Sequence, residues 1–242
     1  MKKLAFFALS TIATVAMAVQ PTSPAAISIT GVSNQMATLS GITVSNTSNS
    51  NNDALQNVSS NSGKITIAGI SDQKTIATGG SLSNTAVDKN DFANQNVSSN
   101  AGDVEVAKGG LSFQTSTLMG SNVSNSAKGA GGTADALQNL ASNNGKVRIT
   151  GASMQGVGAM GSTVKNEADG SNSLATQNLS SNFGAVTIAG LSTQATFLNN
   201  ATLTNQAKGY NSHAAQNIAS NDACNEPRDP CADGRCQRST GW

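Results

Sequence analysis

The chain has 242 residues, of which 11% are charged and 3% aromatic, and its formal net charge is +1. This charge argues against nucleic acid or an anionic membrane surface as a partner, and the charged fraction is below the ~25% of ordinary globular domains. The 37% hydrophobic content, together with the low net charge, also argues against a wholly disordered chain. A neutral, Asn-rich and Pro-poor composition instead favours stacked β-structure.

Residues 1–18 have the pattern of a secretory signal peptide. The basic start MKK precedes an apolar run, and Ala16-Met17-Ala18 forms a small-residue cleavage signal. The run is too short to span a bilayer, which takes about 20 apolar residues. We therefore expect a mature protein that begins at Val19, is secreted, and acts outside the cell or at its surface.

One phrase, A-x-Q-N-φ-[SA]-S-N with φ an apolar residue, occurs five times after the signal peptide. Its glutamine recurs in steps of 39, 43, 39 and 39 residues, and the longer step comes from a Gly-rich stretch at 129–132. The Gln-Asn pairs of the five copies are Gln56, Asn57, Gln95, Asn96, Gln138, Asn139, Gln177, Asn178, Gln216 and Asn217. A period of about 40 residues predicts a repeat architecture in which neighbouring copies stack on each other.

Two further phrases complete the repeating unit. One is φ-x-φ followed by small residues and a Gln, as in the segment from Ile65 to Gln73, and the other is φ-[ST]-N-x-A, as in Leu82-Ser83-Asn84. Apolar and polar residues alternate within these phrases, which is the period of a half-buried strand. Clusters of Gly and Asn between the phrases indicate corners. All four prolines lie outside residues 25–226, as expected for uninterrupted strands.

The predicted fold is therefore all-β, a β-solenoid of five stacked imperfect repeats of about 40 residues that spans residues 19–221. Each repeat is expected to form a layer of three strands, with Ile, Val, Leu and Ala inside and with Ser, Thr and Asn ladders on the faces and corners. Residues 222–242 differ in composition, and we expect them to form a disordered, charged tail that contains Cys and Pro residues.

Three columns of aligned positions alternate in charge from copy to copy. They are Lys64, Asp103 and Lys146 before the φ-x-φ strand, Glu105 and Arg148 at the next outward position, and Lys128, Asp169 and Lys208 after the closing Ala of the unit. Strands stacked ~4.8 Å apart would bring like charges into contact, which is destabilising. In-register stacking of each copy on its predecessor explains the alternation, and chance is the alternative because the charges are few.

A solenoid of this kind has two open ends, at which backbone N–H and C=O groups are unpaired. Soluble solenoids cover such ends with caps, and the stretch from Val19 to Ala25 is too short for a helical cap. The ten Gln and Asn residues of the Gln-Asn pairs can also hydrogen-bond along a stack, as in cross-β structures. We therefore expect end-to-end self-association into filaments.

The segment QNVSSNSG at 56–63, followed by Ile67-Ala68-Gly69 and Gln73, resembles the imperfect repeats of the Fap-type functional amyloid subunits of bacterial biofilms. The similarity covers most of residues 27–221. It implies a structural subunit of an extracellular cross-β fibre that serves in biofilm matrix or surface attachment. It also implies two partners, a nucleator subunit and an outer-membrane export pore.

Two features depart from the pattern of that family. Its major subunits separate a few repeats by longer variable linkers, whereas the five copies here run nearly end to end. The larger subunit of the family carries a C-terminal Cys-x-x-Cys, whereas the tail here carries Cys224, Cys231 and Cys236. These departures leave open whether the chain is similar to the major subunit or to the nucleator.

The three tail cysteines are candidates for a disulfide or an intermolecular cross-link. An oxidising compartment favours such bonds, and an odd number of cysteines leaves one thiol over. Free thiols are one alternative. A structural zinc site is another, although it would lack a fourth ligand.

No catalytic constellation is visible in the sequence. His213 is the only histidine, acidic residues are scattered singly, and the common nucleophile, P-loop and metalloprotease motifs are missing. We expect a non-enzymatic protein with no cofactor and no small-molecule substrate. The alternative function is a soluble secreted β-solenoid adhesin or ligand-binding module. Thr and aromatic positions shift from copy to copy, so neither an ice-binding nor a glycan-binding face is predicted.

Overall fold

A computed structural model describes residues 26–49, 53–88, 91–129 and 132–222. In these ranges the regular structure consists of 21 β-strands, and no helix there is long and apolar enough to cross a membrane. The predicted signal peptide, the stretch from Val19 to Ala25 and the three cysteines lie outside the described residues.

The strands form four parallel sheets, and each sheet takes strands from five successive turns of the chain. Sheet A contains β1 (Ala26–Ile29), β5 (Asn61–Ser62), β6 (Lys64–Ile67), β10 (Asn100–Val106), β14 (Asn143–Ile149) and β18 (Thr187–Ile188). Sheet B contains β2 (Val32–Ser40), β7 (Ile70–Thr78), β11 (Leu111–Met119), β15 (Ala152–Met160) and β19 (Leu191–Asn199). Sheet C contains β3 (Thr43–Asn49), β8 (Ser81–Val87), β12 (Asn122–Lys128), β16 (Thr163–Asp169) and β20 (Thr202–Lys208). Sheet D contains β4 (Ala54–Val58), β9 (Asp91–Val97), β13 (Ala134–Leu140), β17 (Leu174–Leu179) and β21 (His213–Ile218).

The predicted β-solenoid of five stacked repeats is confirmed. In every sheet the strand of one turn pairs in parallel with the strand of the next turn. The stacking is in register, so that Gln73 lies opposite Gln35 on one side and opposite Gln114 on the other. Each repeat therefore forms one layer of the stack. The predicted three strands per layer is wrong, because each layer contributes a strand to all four sheets.

The additional strand arises because the phrase from Ile65 to Gln73 contains a corner. β6 ends at Ile67 and β7 begins at Ile70, so the chain bends at Ala68-Gly69. Gly69 lies so close to the preceding turn that a Cβ atom there would be 2.0 Å from the carbonyl oxygen of Gly31. Glycine is needed at this position because it has no Cβ atom and lets two backbones approach closely.

Two other corners place one residue in the left-handed backbone region. Between sheets B and C this residue is glycine in the first four turns, such as Gly79 with a φ of 63°, and Asn200 in the fifth turn. Between sheets D and A it is a residue with a side chain, such as Ser98 with a φ of 50°. The following serine stabilises that corner, since the Ser99 hydroxyl oxygen accepts the N–H of Ser142 in the next turn at 3.1 Å.

Three apolar columns run through the stack. The first lies where sheets B, C and D meet and includes Leu118 and Val123. The second is a stack of alanines between sheets C and D, where small side chains let the two sheets approach closely. The third is formed by inner residues of sheet A, such as Ile65 and Val104. Burial of each large side chain in these columns stabilises the fold by roughly 1.5–3 kcal/mol.

Sheet B follows the predicted placement of Ile, Val and Leu inside the solenoid only toward the end of its strands, as with Leu118 and Val157. In β7 the side chains of Ser71, Gln73 and Thr75 are fully buried, whereas Ile70 is exposed and Ile76 is partly exposed. Hydrogen bonds compensate this burial in part. The Gln73 amide donates to the Asn100 side-chain oxygen at 2.9 Å and the Thr75 hydroxyl oxygen accepts from Ser98 at 2.8 Å, whereas the side-chain oxygen of Gln73 has no partner among the described residues. The outward residues of sheet B are consequently the more apolar set.

Sheet D is the most deeply buried sheet. Every residue of β9, β13 and β17, the strands of the three middle turns, is buried. In the corresponding strands β7, β11 and β12 of sheets B and C, buried residues alternate with more exposed ones. Side chains on both faces of sheet D are therefore shielded from water.

Candidate self-association site

The Gln-Asn pairs named from the sequence form two continuous ladders along sheet D. Each glutamine amide donates to the side-chain oxygen of the glutamine one turn earlier, at 2.7–2.8 Å along Gln56, Gln95, Gln138 and Gln177, and Gln216 continues the row. Each asparagine amide does the same at 2.8–2.9 Å along Asn57, Asn96, Asn139, Asn178 and Asn217. Because adjacent residues point to opposite faces of a strand, one ladder lies on each face of sheet D.

Sheet C contains a third ladder. Its members are Asn46, Asn84, Asn125, Asn166 and Asn205, and each of the first four donates to the next at 2.7–2.9 Å. Asn125 also donates to the backbone carbonyl oxygens of Ala93 and Leu137 in sheet D, which ties the two sheets together. The sequence contains the signal for this ladder, since the phrase φ-[ST]-N-x-A keeps its asparagine in all five copies.

A fourth ladder runs along the corner between sheets D and A. Its members are Asn61, Asn100, Asn143, Asn182 and Asn221, and each of the first four donates to the next at 2.7–3.1 Å. Each member also accepts a hydrogen bond from a glutamine of sheet B, as from Gln35 to Asn61 at 3.0 Å. The recurring glutamine that ends the φ-x-φ phrase is explained by this contact.

The ladders differ in direction. In sheet D the amides donate toward the N-terminal turn, whereas in sheet C and along the corner they donate toward the C-terminal turn. At each end of the solenoid one set of ladders therefore stops at an amide donor and another stops at an oxygen acceptor. The sets are reversed between the two ends, so the ends are complementary to each other.

The charged residues after the closing Ala lie in one column on sheet C. Lys128 is opposite Asp169, and Asp169 is opposite Lys208. Glu167 in the same sheet forms ion pairs with Lys165 and with Lys208. These hydrogen-bonded lysines hold the pKa of Glu167 below its ordinary value, and the same contact raises the pKa of Lys208. Opposite charges therefore meet between consecutive turns.

The charged column predicted on sheet A is interrupted. β6 pairs with β10 so that Ile65 lies opposite Val104, which places Lys64 and Asp103 one residue before this pair. In the next turn, however, Asp103 lies opposite Gly145 rather than Lys146, because the register of β10 and β14 shifts there. Lys146 has a φ of 40° at this irregularity. The predicted alternation is therefore broken at Lys146, and opposite charges lie opposite each other at the next outward position instead.

This pair is Glu105 of β10 and Arg148 of β14, which lie opposite each other in register. Both belong to the second predicted column of sheet A. On the other side Glu105 lies opposite Thr66 and Arg148 lies opposite Thr187. No two like charges are paired in these registers of sheet A.

Both ends of the stack present strands with one unpaired edge among the described residues. β1 to β4 are the edge strands at one end, and β18 to β21 are those at the other. Apolar side chains of the first column are only partly buried there, namely Leu39, Val44 and Val58 in the first turn and Ala201 and Leu203 in the last. Open edges combined with partly exposed core residues are the usual template for further strand pairing.

The described residues contain no group of three His, Cys, Asp or Glu side chains that could hold a metal ion. His213 lies at the start of β21, opposite Leu174. Asp91 is 2% exposed, and neither carboxylate oxygen has a hydrogen-bond partner in the described structure. Burial, together with Asp88 and Asp53, raises the pKa of Asp91. The expectation that the protein is not an enzyme stays a prediction.

Comparison of the chain with protein-family models, with curated proteins and with solved structures finds no match. The resemblance to Fap-type subunits therefore stays a prediction that rests on the repeat motif.

Proposed function

We propose that the protein is the structural subunit of an extracellular cross-β fibre that grows end to end. The observation that supports this is the match between the two ends of the solenoid. The edge strands of sheet B have nine residues at both ends, in β2 and β19, and those of sheet C have seven, in β3 and β20. The first turn of one molecule can thus continue the stack on the last turn of another.

The side chains at such a junction are compatible. Continuing the register would place Lys208 of one molecule opposite Asn49 of the next, so no like charges meet in that column. Leu203 would lie opposite Val44, which extends the first apolar column across the junction. Covering these partly exposed side chains removes apolar surface from water, which favours association.

The ladders would also continue across the junction. Asn205 donates to the backbone carbonyl oxygens of Ala175 in the fourth turn and Ala215 in the last turn. The Asn46 side-chain oxygen of the next molecule would take the place that the next asparagine takes inside the stack. In sheet D, the amide of Gln56 in that next molecule would donate to the side-chain oxygen of Gln216. This arrangement requires head-to-tail contacts, so each single stack is polar.

The biological setting belongs to the same proposal. Secretion rests on the signal-peptide pattern of residues 1–18. A role in biofilm matrix or surface attachment, an outer-membrane export pore and a nucleator subunit rest on the resemblance to Fap-type repeats. These roles require a cross-β architecture. The protein supports them with stacked, in-register strands and with Gln and Asn ladders.

X-ray fibre diffraction and electron microscopy of the mature chain, residues 19–242, test the proposal. We expect unbranched filaments with reflections near ~4.7 and ~10 Å, the spacings of strands and of packed sheets. A β-rich monomer that stays soluble for days would refute the fibre and favour the soluble adhesin or ligand-binding module.

A variant of one end tests how the fibre grows. Val44→Lys places a charge in the partly buried core of the first turn, so its junction with another molecule is blocked while the last turn is unchanged. Small amounts of this variant should slow the seeded growth of the wild type. Ser45→Lys, which points outward from the same strand, is the control and should not. Equal effects of the two variants would contradict growth through the first turn.

A further inference from the structure

We propose that the outer face of sheet B is a second self-association surface, through which two copies of this chain pack face to face. This contact is lateral, whereas the proposed fibre contact is axial. The outward residues of the five turns, in order, are Val32, Asn34, Met36, Thr38 and Ser40; Ile70, Asp72, Lys74, Ile76 and Thr78; Leu111, Phe113, Thr115, Thr117 and Met119; Ala152, Met154, Gly156, Gly158 and Met160; and Leu191, Thr193, Ala195, Phe197 and Asn199.

The composition of this face is unusual for a surface exposed to water. Asp72 and Lys74 are its only charged residues. Seven of the thirteen large hydrophobic residues that are exposed among the described residues lie on it, namely Val32, Met36, Ile70, Met154, Met160, Leu191 and Phe197. The outer face of sheet C has one such residue, Val87. Contiguous exposed apolar patches of this kind mark interaction surfaces.

The strands of sheet B are also inverted relative to an ordinary half-buried strand. The polar residues Ser112, Gln114 and Ser116 of β11 are fully buried, whereas Leu111 and Phe113 lie on the outward side. An amphipathic strand gains its stability by burying its apolar side. In sheet B that side remains open in the single molecule, so a partner that covers it would complete the burial.

The size of the face suits a second copy of the chain. Five strands of nine residues each form a face of roughly 24 by 30 Å, from strand spacings of ~4.8 Å and a rise of ~3.3 Å per residue. Two such faces would bury on the order of 1,400 Å² in total, within the ~1,200–2,000 Å² of stable interfaces. Packing of two sheets face to face is the ordinary way in which apolar sheet faces are covered.

The two charges select between the two possible two-fold axes. An axis along the stack would place each turn on the same turn of the partner with its strand direction reversed, so that Lys74 would meet its own copy. An axis along the strands would place the second turn on the fourth, and Lys74 would then meet Gly156 while Ile76 would meet Gly158. The second arrangement puts large side chains over glycines and avoids the contact of like charges, and we assign it to the pair.

The test uses Phe113→Lys, with Thr66→Lys as the matched control. Both residues are partly exposed on the outward side of their strands, and each new lysine would lie opposite a carboxylate of a neighbouring turn, Asp72 for residue 113 and Glu105 for residue 66. The two variants should therefore fold equally well, as circular dichroism will show. Only Phe113→Lys adds a charge to the proposed contact, where the axis along the strands brings residue 113 onto its own copy, and like charges buried together are costly.

Sedimentation equilibrium of the freshly prepared soluble chain and electron microscopy of filaments provide the readouts. We expect a dimer and paired filaments for the wild type and for Thr66→Lys. For Phe113→Lys we expect single filaments and a dimer affinity that is at least tenfold weaker. Dimers that are lost in Phe113→Lys without any filament formation would support the lateral contact and refute the axial one.

Other results would overturn the lateral contact. A monomeric wild type with single filaments would do so while leaving axial growth intact, and so would equal pairing by the two variants. A monomeric wild type that co-sediments with phosphatidylcholine vesicles, while Phe113→Lys does not, would assign the face to a lipid surface instead.

Discussion

Replacing Asn125 with alanine would measure how much the buried asparagine ladder contributes to the stability of the solenoid. Asn125 is fully buried in the middle turn. Its amide donates to the Asn166 side-chain oxygen at 2.9 Å and to the carbonyl oxygens of Ala93 and Leu137 at 2.9 and 3.0 Å, and its own oxygen accepts from Asn84 at 2.8 Å. Alanine would leave these groups without their shared partner.

The magnitude follows from the cost of unpaired polar groups. A buried donor or acceptor that loses its partner costs ~1–3 kcal/mol. Several groups are affected at once, but a water molecule can enter the space of the lost side chain and satisfy some of them. We therefore expect Asn125→Ala to lower the free energy of unfolding by about 3 kcal/mol. Ser124→Ala, on the outer face of the same strand, should change it by ~0.5 kcal/mol or less.

Urea unfolding followed by circular dichroism, at a protein concentration too low for assembly, would measure both values. Equal m-values for the two variants would show that the same structure unfolds in each case. A loss for Asn125→Ala no larger than that for Ser124→Ala would refute the reasoning. In that case the apolar columns would hold sheets C and D together without help from the ladder.

Two further predictions concern charged residues. The raised pKa of Asp91 means that its protonated form stabilises the fold, and this contribution is lost as the pH rises through that pKa. Asp91→Asn should therefore unfold at a higher temperature than the wild type at neutral pH and lose this advantage near pH ~4. A wild type that is more stable than the variant at neutral pH would contradict this reasoning. Asp169→Lys would place a lysine between Lys128 and Lys208 in one column. The urea midpoint of this variant should fall at low salt and recover in ~1 M NaCl, where the screening length is ~3 Å. A fall of the midpoint that does not depend on salt would show that charge repulsion is not the cause.

The stacking could be predicted from the sequence because it depends on repetition. Three of the four steps between the Gln-Asn pairs are equal, and the structure places Gln95 opposite Gln56 and Gln138. The fourth strand of each layer is missed although the sequence carries its signal. Its corner lies at Gly69, whose backbone touches Gly31 of the preceding turn. A glycine recurs immediately before every strand of sheet B, as Gly31, Gly69, Gly110, Gly151 and Gly190. Because the phrase is interpreted as one strand, this recurring glycine is not recognised as a corner.

The charged columns show that the alignment of the copies predicts the register in regular strands but not at an irregularity. Residues 128, 169 and 208 lie in a regular part of sheet C, where the alignment of the copies gives the register directly. Residue 146 lies where the register shifts, although the second and third copies have the same spacing there. Lys146 takes a positive φ in the third copy, whereas Gly102 does so in the second. Nothing in the sequence explains why Gly145 does not take this role.

The strands of sheet B show that an alternation of apolar and polar residues does not determine which face of a strand points inward. In sheet B the choice is made by hydrogen bonds from Gln73, Gln114 and their equivalents to asparagines of the D-to-A corner. With the polar side fixed inward by these contacts, the apolar side has no place inside the single molecule. The same glutamines that hold one turn on the next therefore leave an apolar face outside, and a chain that stacks end to end with such a face acquires a second direction in which to associate.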